Sequence, residues 1–137
     1  MELLVILALL GLSVTAIAFS LKPLETPLHS GTVLLEGFFR QVRRNAMATT
    51  SAYRAVPLGQ DRLIAQRASS CLDTTWTDDP LVHIELPDGV EMTDNTWRVC
   101  FSSRGISANN VTVTLSHAEA GQRQVEVMIG GTTRILQ

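Results

Sequence analysis

The sequence lacks the constellations that carry chemistry. It has no serine in a nucleophile-elbow pattern, no glycine-rich phosphate loop and no carboxylate pair with an evident partner, so no catalytic residue and no cofactor are assigned. The acidic pair Asp78-Asp79 stands before Pro80 and reads as loop charge. The histidines His29, His83 and His117 stand singly, and neither cysteine has a second cysteine or a histidine at ligand spacing. No metal site follows from such spacings. Basic charge is scarce too: 11 Lys and Arg against 13 Asp and Glu leave a net charge of -2. A chain so balanced has no overall pull on nucleic acid.

What is present is a long apolar run at the start. From Leu3 to Leu21 there are 19 residues without a formal charge, bounded by Glu2 and Lys22. As a helix this stretch covers roughly 28 Å, the thickness of a bilayer core, and satisfies its own backbone polar groups. Glu2 at its entrance has two readings. It is a helix-start residue favoured by the positive end of the helix dipole, or a carboxylate meant to be buried against a cationic partner. A third feature competes at the other end: Ala16-Ile17-Ala18 before Phe19 has the form of a signal-peptide cleavage site, which would release a soluble β domain after Ala18. Glu2, however, puts a negative charge where a signal peptide carries a positive one.

The run Glu2-Leu3-Leu4-Val5-Ile6-Leu7-Ala8-Leu9-Leu10-Gly11-Leu12 resembles the amino-terminal helix of type IV pilins and type II secretion pseudopilins. The resemblance implies that Glu2 registers one subunit against the terminal amine of its neighbour in a filament. It also places the family's basic leader, and the first mature residues, upstream of Met1.

Beyond the run, Lys22-Pro23-Leu24-Glu25-Thr26-Pro27 holds two prolines that should kink or interrupt a helix, making Pro23 and Pro27 a hinge between a membrane segment, residues 1–28, and a head. A second, amphipathic helix is expected over 29–50, starting near Ser30 as its N-cap. Leu34, Leu35, Phe38, Phe39, Val42, Ala46 and Met47 recur at spacings of three and four and form its core face. Gly37 weakens this helix but could allow close packing, and Arg40, Arg43 and Arg44 read as a solvated basic face.

From Tyr53 the period falls from 3.6 to 2, so residues 51–137 read as a β-rich head. Tyr53–Leu58 and Arg62–Arg67 form a hairpin about Gly59-Gln60-Asp61, with Pro57 placing the first strand at an edge. Residues 68–80 read as a loop whose Trp76 folds back on the core. Leu81–Leu86, Trp97–Phe101, Val111–Leu115, Gln124–Ile129 and Thr132–Leu136 supply further antiparallel strands, the last after a type I′ turn at Gly130-Gly131. The fold class is therefore α+β, a long N-terminal transmembrane helix continuing into an amphipathic helix packed on an antiparallel sheet. Cys71 and Cys100 either pair, if the head lies outside the cytoplasm, or remain two buried thiols.

Val99-Cys100-Phe101-Ser102-Ser103-Arg104-Gly105, followed by the Val111–Leu115 and Arg123–Val127 strands and Gly130-Gly131, is similar to the head of GspH/FimT-type minor pilins. The resemblance implies the pilin fold and a low-abundance structural subunit of an extracellular filament, at or near its tip, or the corresponding type II secretion pseudopilin. Its partners would be other major and minor pilins through their N-terminal helices, a prepilin peptidase and an inner-membrane assembly platform. Its place would be the inner membrane as a single-pass protein, then an extracellular or periplasmic filament. Some such pilins contact DNA through a C-terminal glycine-arginine-x-arginine segment. Gly131-Thr132-Thr133-Arg134 keeps the glycine and one arginine, which makes Arg134, with Arg123 across the hairpin, a weak candidate DNA contact.

Overall fold

The computed structural model describes residues 2–10 and 26–136. Residues 2–10 are helical, here α1. Most of the apolar run, the Ala18 cleavage site and Pro23 lie outside the described residues. Among the described residues no helix is long and apolar enough to cross a membrane.

Helix α2 spans Pro27–Thr49, 23 residues or about 34 Å. It begins earlier than Ser30. Thr26 is the N-cap, in extended backbone, and its hydroxyl accepts the His29 N–H at 3.2 Å. Pro27 follows at the first helical position, where no intrahelical N–H is needed and its fixed φ suits the turn. Pro27 thus starts α2, directly after the extended Thr26. The far end closes with Thr50 in the left-handed region and the Ser51 N–H reaching Ala46 O at 3.1 Å, a C-terminal cap of the Schellman kind. Leu28, Leu35, Phe38, Phe39, Val42 and Ala46 are buried along one stripe. Leu34 and Met47, read as part of that stripe, fall one residue off it and are 38% and 43% exposed.

The head holds two antiparallel sheets of four strands each, where one was expected. The first is built from β1 (Ala52–Leu58), β2 (Arg62–Ala68), β3 (Thr77–Glu85) and β5 (Val99–Phe101), in the order β3-β2-β1-β5. The second contains β4 (Glu91–Met92), β6 (Val111–His117), β7 (Gly121–Val127) and β8 (Thr133–Leu136), ordered β4-β6-β7-β8. Helix α2 lies against strands of both. Its phenylalanines meet Leu63, Val82, Val99 and Phe101 of the first sheet and Val113, Leu115, Val125 and Val127 of the second in one apolar cluster. Alternation along each strand sends these side chains inward and leaves polar neighbours outside.

The β1–β2 hairpin forms as read, with Leu58 opposite Arg62 and Gly59 at φ +72° in the turn. Its first strand is nevertheless internal. β5 pairs with Tyr53–Ala55 only, so Pro57, two residues on, faces a partner on the β2 side alone. The missing proline N–H is harmless there because no strand waits for it. The expected loop over 68–80 is shorter, since β3 begins at Thr77 and takes in Asp78, Asp79 and Pro80. The partner of Ile64 is His83 and that of Ala65 is Asp79, so residues 80–82 bulge from this edge strand.

The outer face of the first sheet carries a polar ladder. Arg54 Nε donates to Gln66 Oε1 at 2.7 Å, and Gln66 Nε2 donates to Asp78 Oδ1 at 2.7 Å. The Arg54 guanidinium lies 4.2 Å from the centre of the Trp76 ring. Trp76 therefore stacks on a cation outside the sheet and does not return to the core. A disulfide joins Cys71, in the loop that carries Trp76, to Cys100 of β5, beside Arg54 in register. This bond ties a sequence separation of 29 residues. Loop-closure entropy gives it about 3–4 kcal/mol of stabilisation. Reduction is expected to lower the stability read from urea unfolding by that amount, and an unchanged midpoint would show the loop to be ordered without it.

Candidate functional site

Three surfaces stand out, and the first is α1. Leu3, Leu4, Val5, Ile6, Leu7 and Leu10 are between 54% and 76% exposed. Glu2 is exposed at the start of the same helix. A helix apolar on all sides is unlike the amphipathic α2 and suits lipid or a bundle of similar helices.

The second surface is the outward face of α2. Val33 and Leu34 are 49% and 38% exposed, and with His29 and Ser30 they line a shallow hollow of about 230 Å³. Gly37, one turn on, has nothing within 4 Å of where a side chain would begin. It leaves a flat place on this face and makes no close contact inside the head.

The third is a joint between the two sheets. Ser102–Ile106 and Met128–Thr132 fold as twin turns. In each, the first residue's N–H donates to the fifth residue's carbonyl, and the fourth residue is a glycine whose N–H donates back to the first residue's carbonyl. Gly105 and Gly131 occupy that fourth position at φ +77° and +87°. This is a type I turn closed by a left-handed glycine. A type I′ turn at Gly130-Gly131 is excluded, because neither Ile129 nor Gly130 has positive φ. Arg43 of α2 donates its Nε to Gly105 O at 2.9 Å. Gly131 packs directly over that carbonyl, so any side chain there would overlap it. Arg43, read as part of a solvated face, instead fastens helix to turn. The phenylalanine-to-glycine spacing Phe101…Gly105 and the later glycine pair were the visible signals, but they do not name the arginine between them.

The structure does not bring Arg123 and Arg134 together. Arg134 Nε lies 2.6 Å from Glu126 Oε2, its cross-strand neighbour. Arg123 alternates with Gln124 and shares a face with Val125, whereas Glu126 and Arg134 are on the other. One arginine is paired and the second points away from it.

Tyr53, the single tyrosine of the sequence, is 3% exposed, and its hydroxyl donates to Asp79 Oδ2 at 3.0 Å. Asp79 also accepts the Leu81 N–H at 3.1 Å, which holds the β3 bulge. Burial first, then the hydrogen bond and the negative charge of Asp79, raise the phenol above its ordinary value, with Arg67 opposing. A phenol raised on folding stabilises the fold fully below its unfolded pKa and loses that contribution as pH rises through the folded one. Ultraviolet titration of the folded head should show one late phenolate transition. In Asp79→Asn it should move down yet stay above an unfolded tyrosine, because burial is the larger cause. A midpoint unmoved by Asp79→Asn would exclude the Asp79 contribution.

No protein-family model matches the sequence, and no curated protein does either. Solved structures match in shape. The type IV minor pilin FimU of Pseudomonas aeruginosa is 13% identical, with 80% of this chain and 88% of that one covered at a TM-score of 0.63. The minor pseudopilin EpsH from the type 2 secretion system of Vibrio cholerae is 14% identical, with 81% of this chain and 97% of that one covered at a TM-score of 0.61. The helix packed on two small antiparallel sheets is therefore a pilin-like fold of the GspH/FimT type.

Proposed function

We propose that this chain is a structural subunit of a helical filament, a minor pilin of a type IV pilus or the corresponding minor pseudopilin. The observation that carries the reading is the contrast between its two helices: α2 is seated in the head along a full stripe, while α1 exposes an apolar surface around its circumference. Exposed side chains of this kind bury favourably, at about 25 cal/mol per Å². Lipid covers them before assembly and the helices of neighbouring subunits cover them after it. The outward Val33, Leu34 and Gly37 extend the helix-facing surface onto the head. Glu2, at the start of α1, then sits where its carboxylate can meet the terminal amine of a neighbour as both leave water.

A prepilin peptidase and an inner-membrane platform belong to this reading, as does a position near the filament tip. DNA contact does not, because Arg134 is occupied by Glu126 and Arg123 lies on the opposite face. The test is recovery from native cells with an antibody to the head. The chain should co-purify with other pilins in sheared surface filaments, or with pseudopilins in periplasmic fibres. Recovery only as a free soluble chain would overturn the reading.

A further inference from the structure

The connection between β2 and β3 is longer than its ends require. The two strands are neighbours in the sheet, with Arg67 opposite Thr77, so a tight turn would join them. Instead residues 69–76 leave the hairpin and pass over β1 to β5, where Cys71 is bonded to Cys100. Gln66, Arg54 and Cys100 stand opposite one another in a single row of the outer face. The segment therefore lies across that row as a strap, with Trp76 on Arg54.

Little else holds the strap. Its hydrogen bonds close on themselves: the Ser69 and Ser70 N–H groups donate to Asp73 Oδ2, the Leu72 N–H to Ser70 Oγ, the Asp73 N–H to Ser70 O and the Trp76 indole N–H to Asp73 O. None of its residues is buried or belongs to the apolar cluster, and Leu72 is 92% exposed. Asp73 and Thr75 border a hollow of about 450 Å³ that Ser51, Arg67 and Thr77 line from the head. Among the described residues, two tethers to the sheet remain besides the chain ends: the disulfide and the stack on Arg54. The stack is the weaker. Burial first, then Arg98, hold the Arg54 guanidinium below its ordinary value, with Asp78 opposing, so access of water favours its charged form. A cation–π contact at a half-exposed site offsets only a small part of the entropy of ordering such a segment.

We infer that the disulfide is a redox latch on this strap. Joined, Cys71 and Cys100 keep residues 69–76 across the outer face with Trp76 on Arg54. Reduced, they let the strap lift away while α2 and the two sheets stay packed, because the cluster that joins those elements contains nothing from the strap. Both cysteines are half-buried, within reach of a small thiol. Opening is exchange with a dithiol: a thiolate attacks one sulfur, the other sulfur leaves as a thiolate, and the second thiol resolves the mixed disulfide. The dithiol gives up two electrons and two protons and ends as a disulfide, and Cys71 and Cys100 end as thiols. Closure is the reverse exchange with a disulfide oxidant. The strap is thus open in a reducing compartment and shut in an oxidising one. The latch belongs to the head alone and works with or without filament assembly.

The test is fluorine NMR of the full-length chain carrying 5-fluorotryptophan, in detergent micelles, before and after dithiothreitol without denaturant. The two tryptophans of the sequence report separately, Trp76 on the strap and Trp97 in the core, and Trp76→Phe assigns their signals. On reduction the Trp76 signal should move to the position of free fluorotryptophan while the Trp97 signal stays, and reoxidation should reverse the change. Cys71→Ser combined with Cys100→Ser should match the reduced chain. A Trp76 signal that stays after both thiols are freed would show the strap held without the bond. A Trp97 signal that moves would make the disulfide a staple of the core, and a bond that resists dithiothreitol would be no latch. Each of these three results overturns the inference.

Discussion

Gly131→Ala lowers the stability of the head by about 3–5 kcal/mol, while Gly130→Ala changes it by less than about 0.5 kcal/mol. The residues are adjacent and differ by nothing in sequence. Gly131 has φ +87°, a conformation that L side chains rarely adopt, and a methyl group there overlaps the Gly105 carbonyl and approaches Arg43 Nε to 2.8 Å. To make room, the two turns must part and the Arg43 bond to Gly105 must break, which frees the edge of one sheet from the other. Gly130 has no positive φ and nothing within 4 Å of where a methyl group would stand. Urea unfolding of both variants gives the comparison. Equal losses would mean that the turn needs both glycines and that the stacked geometry is wrong.

Phe39→Ala costs about 3–5 kcal/mol, whereas Leu34→Ala, on the same helix, costs less than about 1 kcal/mol. Phe39 is fully buried, with Trp97 edge-on at 5.7 Å and Phe38 at 6.2 Å between ring centres. It belongs to the apolar cluster that α2 shares with both sheets, so its loss opens a cavity in that cluster. Leu34 is 38% exposed on the outward face, and its removal should instead be felt in assembly. Against a total stability of ~5–15 kcal/mol the first variant is near the edge of folding. A Leu34→Ala loss as large as that of Phe39→Ala would place Leu34 in the core and leave α2 without an outward face.

The strands are legible in the sequence where one face is dry. Val111, Val113 and Leu115, or Val125 and Val127, alternate with polar residues because each strand has one side on the cluster beneath α2. The division into two sheets is not legible, since alternation reports burial and is silent on which strand pairs with which. Pro57 points to an edge strand for the same reason: proline marks a position with no partner to its N–H, and β5 ends before reaching it. Trp76 and Arg54 are 22 positions apart in sequence and meet only through the disulfide-tied loop. Arg43 looks like any solvated helix arginine, because its acceptor is a backbone carbonyl 62 residues away. A motif draws Arg123 and Arg134 together, and strand parity separates them. Thr26 and Pro27 carry a helix-start signal that precedes Ser30, and the chain uses it.

Assembly as described requires that an apolar, Glu2-bearing helix stays on the mature protein and packs with its like. Intact mass and N-terminal sequencing of the protein from its native membrane test this most directly. The expected result is a mature chain that retains Glu2 and begins a few residues ahead of it, with a methylated first residue. A mature chain beginning at Phe19 would contradict it, leaving a secreted β domain without the helix on which the assembly reading stands.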